Sequence, residues 1–577
     1  PYSGHSANKN EWIEGLVKDY YQIDGVPLDE KNSKWLQDDY VKFIRFGQYQ
    51  IDKTKQGILA FITNHGYLDN PTFRGMRQHL MKSFKHIFIV NLHGNIKKKE
   101  ISADGSPDQN VFDIQQGVSI LIAVKDVNFD EIFWKTPNID VTVENGIFYY
   151  DLWGSREDKY KLLSELSFNN IQWEKINPVS PFYLFVPQNA DLLEEYNQYE
   201  KITDIMPVNV LGFQTHRDDF AIDFDRDKLY QRIAQMRDLN ISDQEYLDKY
   251  NLKESQNWKI SKVRKAIQKD PQWEKPIIDC LYRPFDQRSC YFSSLIMDRP
   301  RRELINHLMG KDNLCLGLGR QGIAVNDPIW SLISVSTIPV DANIFRRGGI
   351  NIFPLYIYPN TQDGQANLIT EKEANFSPQF LTKITAKLGD KPSPEKIFYY
   401  IYAVFHSPEY RYRYAPFLKI DFPRVPLTSN NEKFTQLAQK GEELVNLHLL
   451  KKLPNVSMTK NETLTTVDLP LFSGNQQGKI HYQGDGKNEI NQITYSNNLQ
   501  KITINKDCYF TGITEEVWEF KIGGYQVLDK WLKDRKKANL NLLSDDITHY
   551  QKIILALQKT IIIMEEIEQI IGEFPMK

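Results

Sequence analysis

Gly57-Ile-Leu-Ala-Phe-Ile-Thr63 is a short, continuous apolar run of the kind a parallel strand shows when both of its faces are covered. Asn64, Gly66, Asp69, Asn70 and Pro71 follow it with turn and helix-capping residues, and Thr72 to Phe84 carries helical spacing. A second run, His86-Ile-Phe-Ile-Val-Asn-Leu92, ends at Gly94-Asn95, and after a polar loop a third follows, Val118-Ser-Ile-Leu-Ile-Ala-Val124. Strand, helix and strand in this order, with apolar strands, predict a doubly wound α/β sheet, here its last part without the first strand. Ahead of these strands, Asn10 to Tyr21 and Ser33 to Phe46 place apolar residues at helical spacing.

Beyond about residue 130 the pattern changes. Short strand-like runs such as Ile147-Phe-Tyr-Tyr150 and Phe182-Tyr-Leu-Phe-Val186 mix with helical stretches, for example Arg156 to Leu166 and Asp227 to Met236. An α+β region is expected to about residue 450. Polar sequence from Pro454 to Gln500 reads as loops and a marginal sheet, an insertion or linker. From Asp545 to Ile571 the apolar positions Ile547, Ile553, Ile554, Leu557, Ile561 and Met564 follow helical spacing, as a core stripe or a partner-helix seam does.

The composition bounds the function classes. The chain has 577 residues, 41% hydrophobic and 25% charged, which excludes a chain disordered throughout. Lys+Arg is 71 against Asp+Glu 74, a net charge of −3, so any nucleic-acid surface must be local. Four cysteines without a CxxC pair argue against a disulfide scaffold and a zinc knuckle, and fit a reducing, cytoplasmic setting. No run approaches the roughly 18–20 apolar residues of a membrane helix. The chain opens on Pro1 instead of methionine, from which a longer natural polypeptide is expected.

Few catalytic motifs stand out. Gly474-Asn-Gln-Gln-Gly478-Lys479 is one residue short of a phosphate loop and lacks its Ser/Thr, so it reads as a loop. The 11 histidines are scattered, and no metal site is expected. Asp218 and Asp219 suit capping a turn and pairing with Arg217 or Arg226 better than holding a metal. The arginines are more informative. Arg283 and Arg288, then Arg299, Arg301 and Arg302, then Arg320 with Gln321, and finally Arg346 lie in loop-like sequence interleaved with Tyr282, Phe285, Tyr291, Phe292 and Phe345. Guanidinium forks grip phosphates or guanine edges, Gln can read adenine, and aromatic rings offer stacking faces. The same arginines can instead pair with Asp279, Asp286, Asp298 and Glu303 on a solvated surface. Arg411-Tyr-Arg413 and Lys419 to Arg424 repeat the theme more weakly.

An ordered set of segments carries a family resemblance. Pro1-Tyr2-Ser3-Gly4 resembles the end of the Asn-Pro-Pro-Tyr motif of amino-group DNA methyltransferases. Lys34-Trp-Leu-Gln-Asp-Asp-Tyr-Val-Lys-Phe-Ile-Arg45, Ile62-Thr-Asn-His-Gly-Tyr-Leu68, Phe112-Asp-Ile-Gln-Gln-Gly117 and Tyr149-Tyr-Asp-Leu-Trp-Gly-Ser-Arg156 resemble the single-chain type ISP restriction–modification enzymes. So do Gly212-Phe-Gln-Thr-His-Arg-Asp-Asp-Phe220, Tyr282-Arg-Pro-Phe-Asp286, Phe353-Pro-Leu-Tyr356, His406-Ser-Pro-Glu-Tyr410 and Gly523-Gly-Tyr-Gln-Val527. The likeness spans nearly the whole chain, with gaps around 240–270 and 454–500.

The resemblance implies the C-terminal portion of such an enzyme. Residues 1–135 would be the C-terminal part of an adenine-specific DNA methyltransferase domain with a Rossmann-like α/β sheet. Residues 136–450 would be an α+β target-recognition domain, and 451–577 its extension with terminal helices. The substrate would be double-stranded DNA, with an adenine flipped out and methylated at N6 from S-adenosylmethionine. Tyr2 would stack on that base, Pro1 would be the remnant of the motif, and Phe112 the second aromatic of the pocket. Arg283, Arg288, Arg299, Arg301, Arg302, Arg320, Gln321 and Arg346 are the expected DNA contacts, most of them to phosphate. The main S-adenosylmethionine loop is expected upstream of residue 1, as are nuclease and helicase modules using ATP and Mg, so this portion alone is expected not to methylate. The alternatives are a stand-alone sequence-specific DNA-binding subunit without catalysis, and an RNA modification enzyme.

Overall fold

A computed structural model describes residues 4, 10–28, 33–96, 100, 102, 106–126, 146–320, 329–345, 349–359, 372–453, 457–460, 465–470, 479–484 and 488–576. The chain divides into two units, Pro1–Glu194 and Glu195–Lys577.

The apolar runs of the first unit form a five-stranded sheet of β1 (Gly57–Asn64), β2 (His86–His93), β3 (Val118–Lys125), β4 (Gly146–Asp151) and β5 (Glu174–Ile176), in the order β1-β3-β2-β4-β5. β2 is buried along its whole length, as a fully covered strand must be. β2 and β4 are parallel, whereas β3 lies antiparallel between β1 and β2. A parallel return needs a crossover element. Among the described residues between β2 and β3 there is no helix, so the chain turns back and pairs antiparallel. The sheet continues past residue 135, because β4 and β5 are hydrogen-bonded into it.

Helices α1 (Glu11–Val17), α2 (Asp39–Thr54) and α3 (Arg74–Ser83) cover one face, where Val17, Tyr40, Val41, Ile44 and Leu80 join Ile87, Ile89, Leu121 and Ile147 in one cluster. On the other face Phe88, Val124 and Phe148 pack with Phe168 and Trp173. Helix α4 (Arg156–Glu165), capped by Ser155, lies on that side and brings Leu163 against Val90, Leu92 and Leu152. Residues 182–186 form no strand. The fully buried Arg77 of α3 donates to the carbonyls of Phe182 at 2.6 Å and Tyr183 at 2.9 Å, which occupies the acceptors that a strand would use.

The second unit is α+β. A four-stranded antiparallel sheet orders Ile333–Ser336, Cys315–Gly319, Ile350–Pro354 and Val210–Leu211. A three-stranded sheet orders Ile222–Asp223, Asp286–Tyr291 and Ile277–Arg283. Helices Pro394–Val404 and Asn431–His448 cross so closely that a Cβ at Gly441 would overlap the Tyr399 carbonyl oxygen. Where loops and a marginal sheet are expected, the strands between Ser457 and Thr511 assemble into one six-stranded antiparallel sheet. Its polar sequence still places Ile480, Tyr482, Ile502 and Phe510 inward, and Phe510 packs 4.8 Å from Tyr550 of the terminal helix Ser544–Ile571. Residues 474–478, expected as a loop, lie outside the described residues. Among the described residues no helix is long and apolar enough to cross a membrane.

Candidate functional site

The carboxyl ends of β1, β2 and β4 converge on a cavity of about 290 Å³ lined by His65, Asp69, Asn91, His93, Glu100 and Asp151 among others. Each ring is placed by local chemistry. Asn64 ends β1 and caps the next turn by accepting from the Gly66 N–H at 2.7 Å, which turns His65 toward the cavity. Gly117 lies flat against the His65 ring; a Cβ there would overlap it, so no larger residue fits. His93 follows a register shift at the end of β2 and has φ 51°, the kind of bulge that re-aims a side chain. Its ring stacks on Trp153 with centroids 3.3 Å apart.

Hydrogen bonds then orient both imidazoles. His93 Nε2 lies 2.6 Å from Asp151 Oδ1, and Asp151 also accepts from the Tyr149 hydroxyl at 2.5 Å. His65 Nδ1 lies 3.1 Å from Asn91 Oδ1, while Asn91 Nδ2 donates to Tyr149 at 2.9 Å. Glu100 accepts from the Asn95 N–H at 2.7 Å and holds its other oxygen 3.7 Å from His93 Nδ1. Burial opposes charge on His93, but the bonds to Asp151 and Glu100 outweigh it and raise its pKa. Burial likewise opposes charge on Glu100, and the contact with His93, the field of His65 and the Asn95 N–H together bring it down to about 2.

The segment 106–112, which carries Phe112, is anchored from beneath. Lys159 of α4 and Asp108 are fully buried and paired at 2.7 Å. Lys159 also donates to the carbonyls of Leu92 and Gln109, and Asp108 accepts from the N–H groups of Gly94 and Gly154. Phe112 is half-buried against the cluster of Val90, Leu92 and Val118, and its carbonyl accepts from Arg156 at 3.0 Å. Pro1 and Tyr2 lie outside the described residues.

The arginine-rich segment of the second unit splits in two. Arg283 is 8% exposed, pairs with Asp341 at 3.1 Å and stacks over Tyr282. Arg288 pairs with Asp286 at 2.7 Å and lies over Phe224 and Tyr282. Asp286 has no exposed surface, and its other oxygen meets Arg535 at 3.1 Å, whose guanidinium lies over Trp531. The Tyr282–Asp286 motif is thus a buried hub that ties helix Val527–Lys537 to the three-stranded sheet. Burial drives the Asp341 pKa up to about 7 against the pull of Arg283.

The remaining arginines are more open. Arg299 and Arg302 are exposed, and Arg301 and Arg320 are half-buried. The backbone of Arg299 exchanges two 3.0 Å hydrogen bonds with Gln214, which holds this loop in place. Arg301 has φ 56°, and its buried Nε has no hydrogen-bond partner. Gln321 and Arg346 lie outside the described residues. Asp218 accepts from Thr215 and Tyr282, while Arg217 pairs with Asp298 and Arg226 with Asp279, so neither arginine serves the Asp218–Asp219 turn as expected. Arg411 is buried on the Phe405 carbonyl, and Arg413 makes a forked pair with Glu195 at 2.9 and 2.7 Å.

Sequence reasoning missed His65, His93 and Glu100. The available signal was polar residues at the ends of two apolar strand runs, the place where α/β sheets present their chemistry.

Comparison with known proteins follows the same division. A family model for the Type ISP C-terminal specificity domain matches residues 204–566. Among solved structures, the ATP-dependent Type ISP restriction–modification enzyme LlaBIII bound to DNA superposes with a TM-score of 0.68 at 19% identity, over 98% of this chain and 37% of that one. The DrdV–DNA complex gives 0.67 at 21% identity, over 100% of this chain and 56% of that one. A nuclease-deletion mutant of the Type ISP enzyme LlaGI with a DNA substrate mimic gives 0.65 at 20% identity, over 98% of this chain and 44% of that one. At these identities the likeness establishes the fold, and the chain spans about half the length of those chains or less. No curated protein matches it. Because the family model spans more than half of its residues, the chain belongs to the Type ISP C-terminal specificity domain family.

Proposed function

We propose that the second unit recognises a specific sequence of duplex DNA, as the target-recognition portion of a restriction–modification enzyme. The observation that carries this reading is the family match across 204–566. The fold shared with structures described as DNA-bound supports it. The exposed Arg299 and Arg302 and the half-buried Arg301 and Arg320, with Gln321 and Arg346, are its proposed contacts, mostly to phosphate. Arg283 and Arg288 serve the same surface from within by fixing the sheet on which it stands.

The first unit, in this reading, is the C-terminal part of an adenine-specific methyltransferase domain with a Rossmann-like sheet. Among the described residues β1 pairs only with β3. Ile58 at 40% and Ile62 at 45% exposure, with Phe43 and Phe46 of α2, leave an apolar surface beside that strand, which suits the rest of such a sheet. Tyr2 would stack on an extruded adenine, with Pro1 and Phe112 beside it, and this stacking would offset part of the few kcal/mol that base flipping costs. S-adenosylmethionine supplies a methyl group when bound. The described turns after β1, β2 and β4 hold one glycine each (Gly66, Gly94 and Gly154), not a glycine-rich cofactor loop, so no step through that cofactor is derived from this chain. Nuclease and helicase modules with their ATP and Mg would belong to a longer polypeptide, working in the cytoplasm.

Two measurements test the reading. Selection from randomised duplexes with the 577-residue chain should enrich one short motif; enrichment of none, or equal binding to single strands, sinks it. Mapping methyladenine in cells that express the intact parent gene should show that motif modified, and Tyr2→Ala should leave it unmodified while binding persists. Binding without any methylation would leave a recognition module alone.

A further inference from the structure

We propose that His65, His93 and Glu100 form a three-ligand site for a divalent transition-metal ion, best suited to zinc, at the carboxyl ends of β1 and β2. One donor atom from each of the three lies within 4.8 Å of the others. Ligands about 2.0–2.2 Å from a tetrahedral zinc stand roughly 3.4 Å apart, so small side-chain rotations close the site. The 3.7 Å between His93 Nδ1 and Glu100 is already near that spacing.

The hydrogen bonds select the tautomers that such a site needs. With His93 Nε2–H donating to Asp151 at 2.6 Å, the lone pair is left on Nδ1. With His65 Nδ1–H donating to Asn91 Oδ1 at 3.1 Å, the lone pair is left on Nε2. These two lone pairs meet carboxamide nitrogens only at long range, Asn95 Nδ2 at 3.3 Å and Asn91 Nδ2 at 3.4 Å. The bonds of His93 to Asp151 and of His65 to Asn91 Oδ1 are shorter and fix the orientation of the rings. The carboxylate behind His93 is an outer partner that metal-ligating histidines use, and the carboxamide oxygen behind His65 accepts as a backbone carbonyl does.

Two further features fit. Trp153 and Gly117 pack against the rings of His93 and His65 and limit the range over which each can turn. The adjoining cavity of about 290 Å³ leaves a fourth position for water or an exchangeable oxygen or nitrogen donor. Two imidazoles and one carboxylate favour zinc, cobalt or nickel over magnesium and calcium, which prefer all-oxygen sites. The site lies within the first unit and does not use the DNA-contacting residues, so it goes beyond the proposed function.

The test uses the purified 577-residue chain, stripped with chelator and titrated with zinc alone, without DNA or methyl donor. Elemental analysis should find one equivalent held below about 10 µM, and cobalt should give the visible absorption of a low-coordinate nitrogen/oxygen site. Glu100→Gln and His65→Asn should weaken binding about 100-fold. Asp151→Asn, which keeps all three ligands, should weaken it about 10–100-fold through the loss of its support. Circular dichroism checks that each variant is folded, and Glu100→Gln, a near-isosteric change, is the decisive one. No stoichiometric zinc in the folded chain, or zinc held equally well by folded Glu100→Gln, overturns the proposal. Neither result bears on DNA recognition, and a failure to bind DNA leaves the metal test intact.

Discussion

The Asp286 hub of the second unit and the His93 pocket of the first are built from the same materials: buried carboxylates, cationic or potentially cationic groups, and aromatic planes. They differ in how completely they are paired. In the hub each oxygen of Asp286 has its own arginine, Arg288 or Arg535, and each guanidinium lies on a ring. In the pocket the short bonds of the two imidazoles run to Asp151 and Asn91 behind the rings, and the carboxamide nitrogens of Asn95 and Asn91 approach His65 Nε2 and His93 Nδ1 at 3.3 and 3.4 Å. A buried charge cluster that is fully matched holds a fold together; one whose donor atoms converge on open space is available to a ligand.

The largest effect should come from breaking the matched cluster. Asp286→Ala takes the short partner from two buried guanidinium groups, leaving Arg288 with Asp534 at 3.5 Å and Arg535 with Asp546 at 3.7 Å, and loss of one member of a buried ion pair costs about 3–5 kcal/mol. Denaturant unfolding of the second unit measures it, and a loss under about 1 kcal/mol would erase the contrast with the pocket. Next comes the open cluster. Free zinc at about 100 times its dissociation constant should stabilise the first unit by about 2.7 kcal/mol, read as slower hydrogen exchange of the β2 amides. The Asp286→Ala chain should show the same gain, because its pocket is intact.

Acid should separate the two regions further. His448 is buried, bonded to the Tyr402 hydroxyl at 2.6 Å and Thr560 at 2.9 Å, and stacked edge-on against Phe285 of the hub. Burial, helped by Arg411, lowers its pKa to about 3. The folded state therefore keeps it neutral where the unfolded chain takes a proton near pH 6.5, so its contribution is complete above that pH and is lost as the pH falls toward 3. At pH 5 the loss amounts to about 2 kcal/mol. His448→Gln should narrow the gap between unfolding midpoints at pH 7.5 and pH 5; an unchanged gap would remove His448 as its source. The smallest effect on stability should come from the surface arginines. Arg299→Ala and Arg302→Ala should shift stability by no more than about 0.5 kcal/mol, yet each should lower the salt slope of DNA binding by about one if its guanidinium grips a phosphate. A large destabilisation would place them with the hub.

Much of the fold was legible because burial writes itself into local sequence. The runs at 57–63, 86–92 and 118–124 became β1, β2 and β3, and Asp545 to Ile571 became one long helix with Ile547, Ile553, Ile554 and Leu557 buried. Three features were not legible. The antiparallel direction of β3 depends on what joins it to β2, not on its own residues. The buried residues described in the six-stranded sheet of the rear region, Ile480, Tyr482, Ile502 and Phe510, are too widely spaced to rise above its polar composition. At 182–186 the pattern suggested a strand, but a side chain from α3, Arg77, claims the carbonyls.

The candidate sites divide along the same line. The sequence by itself determined which residue types were present and which segments would be buried: an arginine–aromatic stretch, apolar strands with polar ends, and an ordered set of family segments. Only the tertiary structure decided that Arg283 and Arg288 face inward while Arg299 and Arg302 face out, because that depends on where Asp341 and Asp534 arrive from distant parts of the chain. It alone brought His65, His93 and Glu100 within 4.8 Å. Spacing along the chain governs local periodicity, whereas convergence of strand ends is set by sheet order, which no single segment encodes.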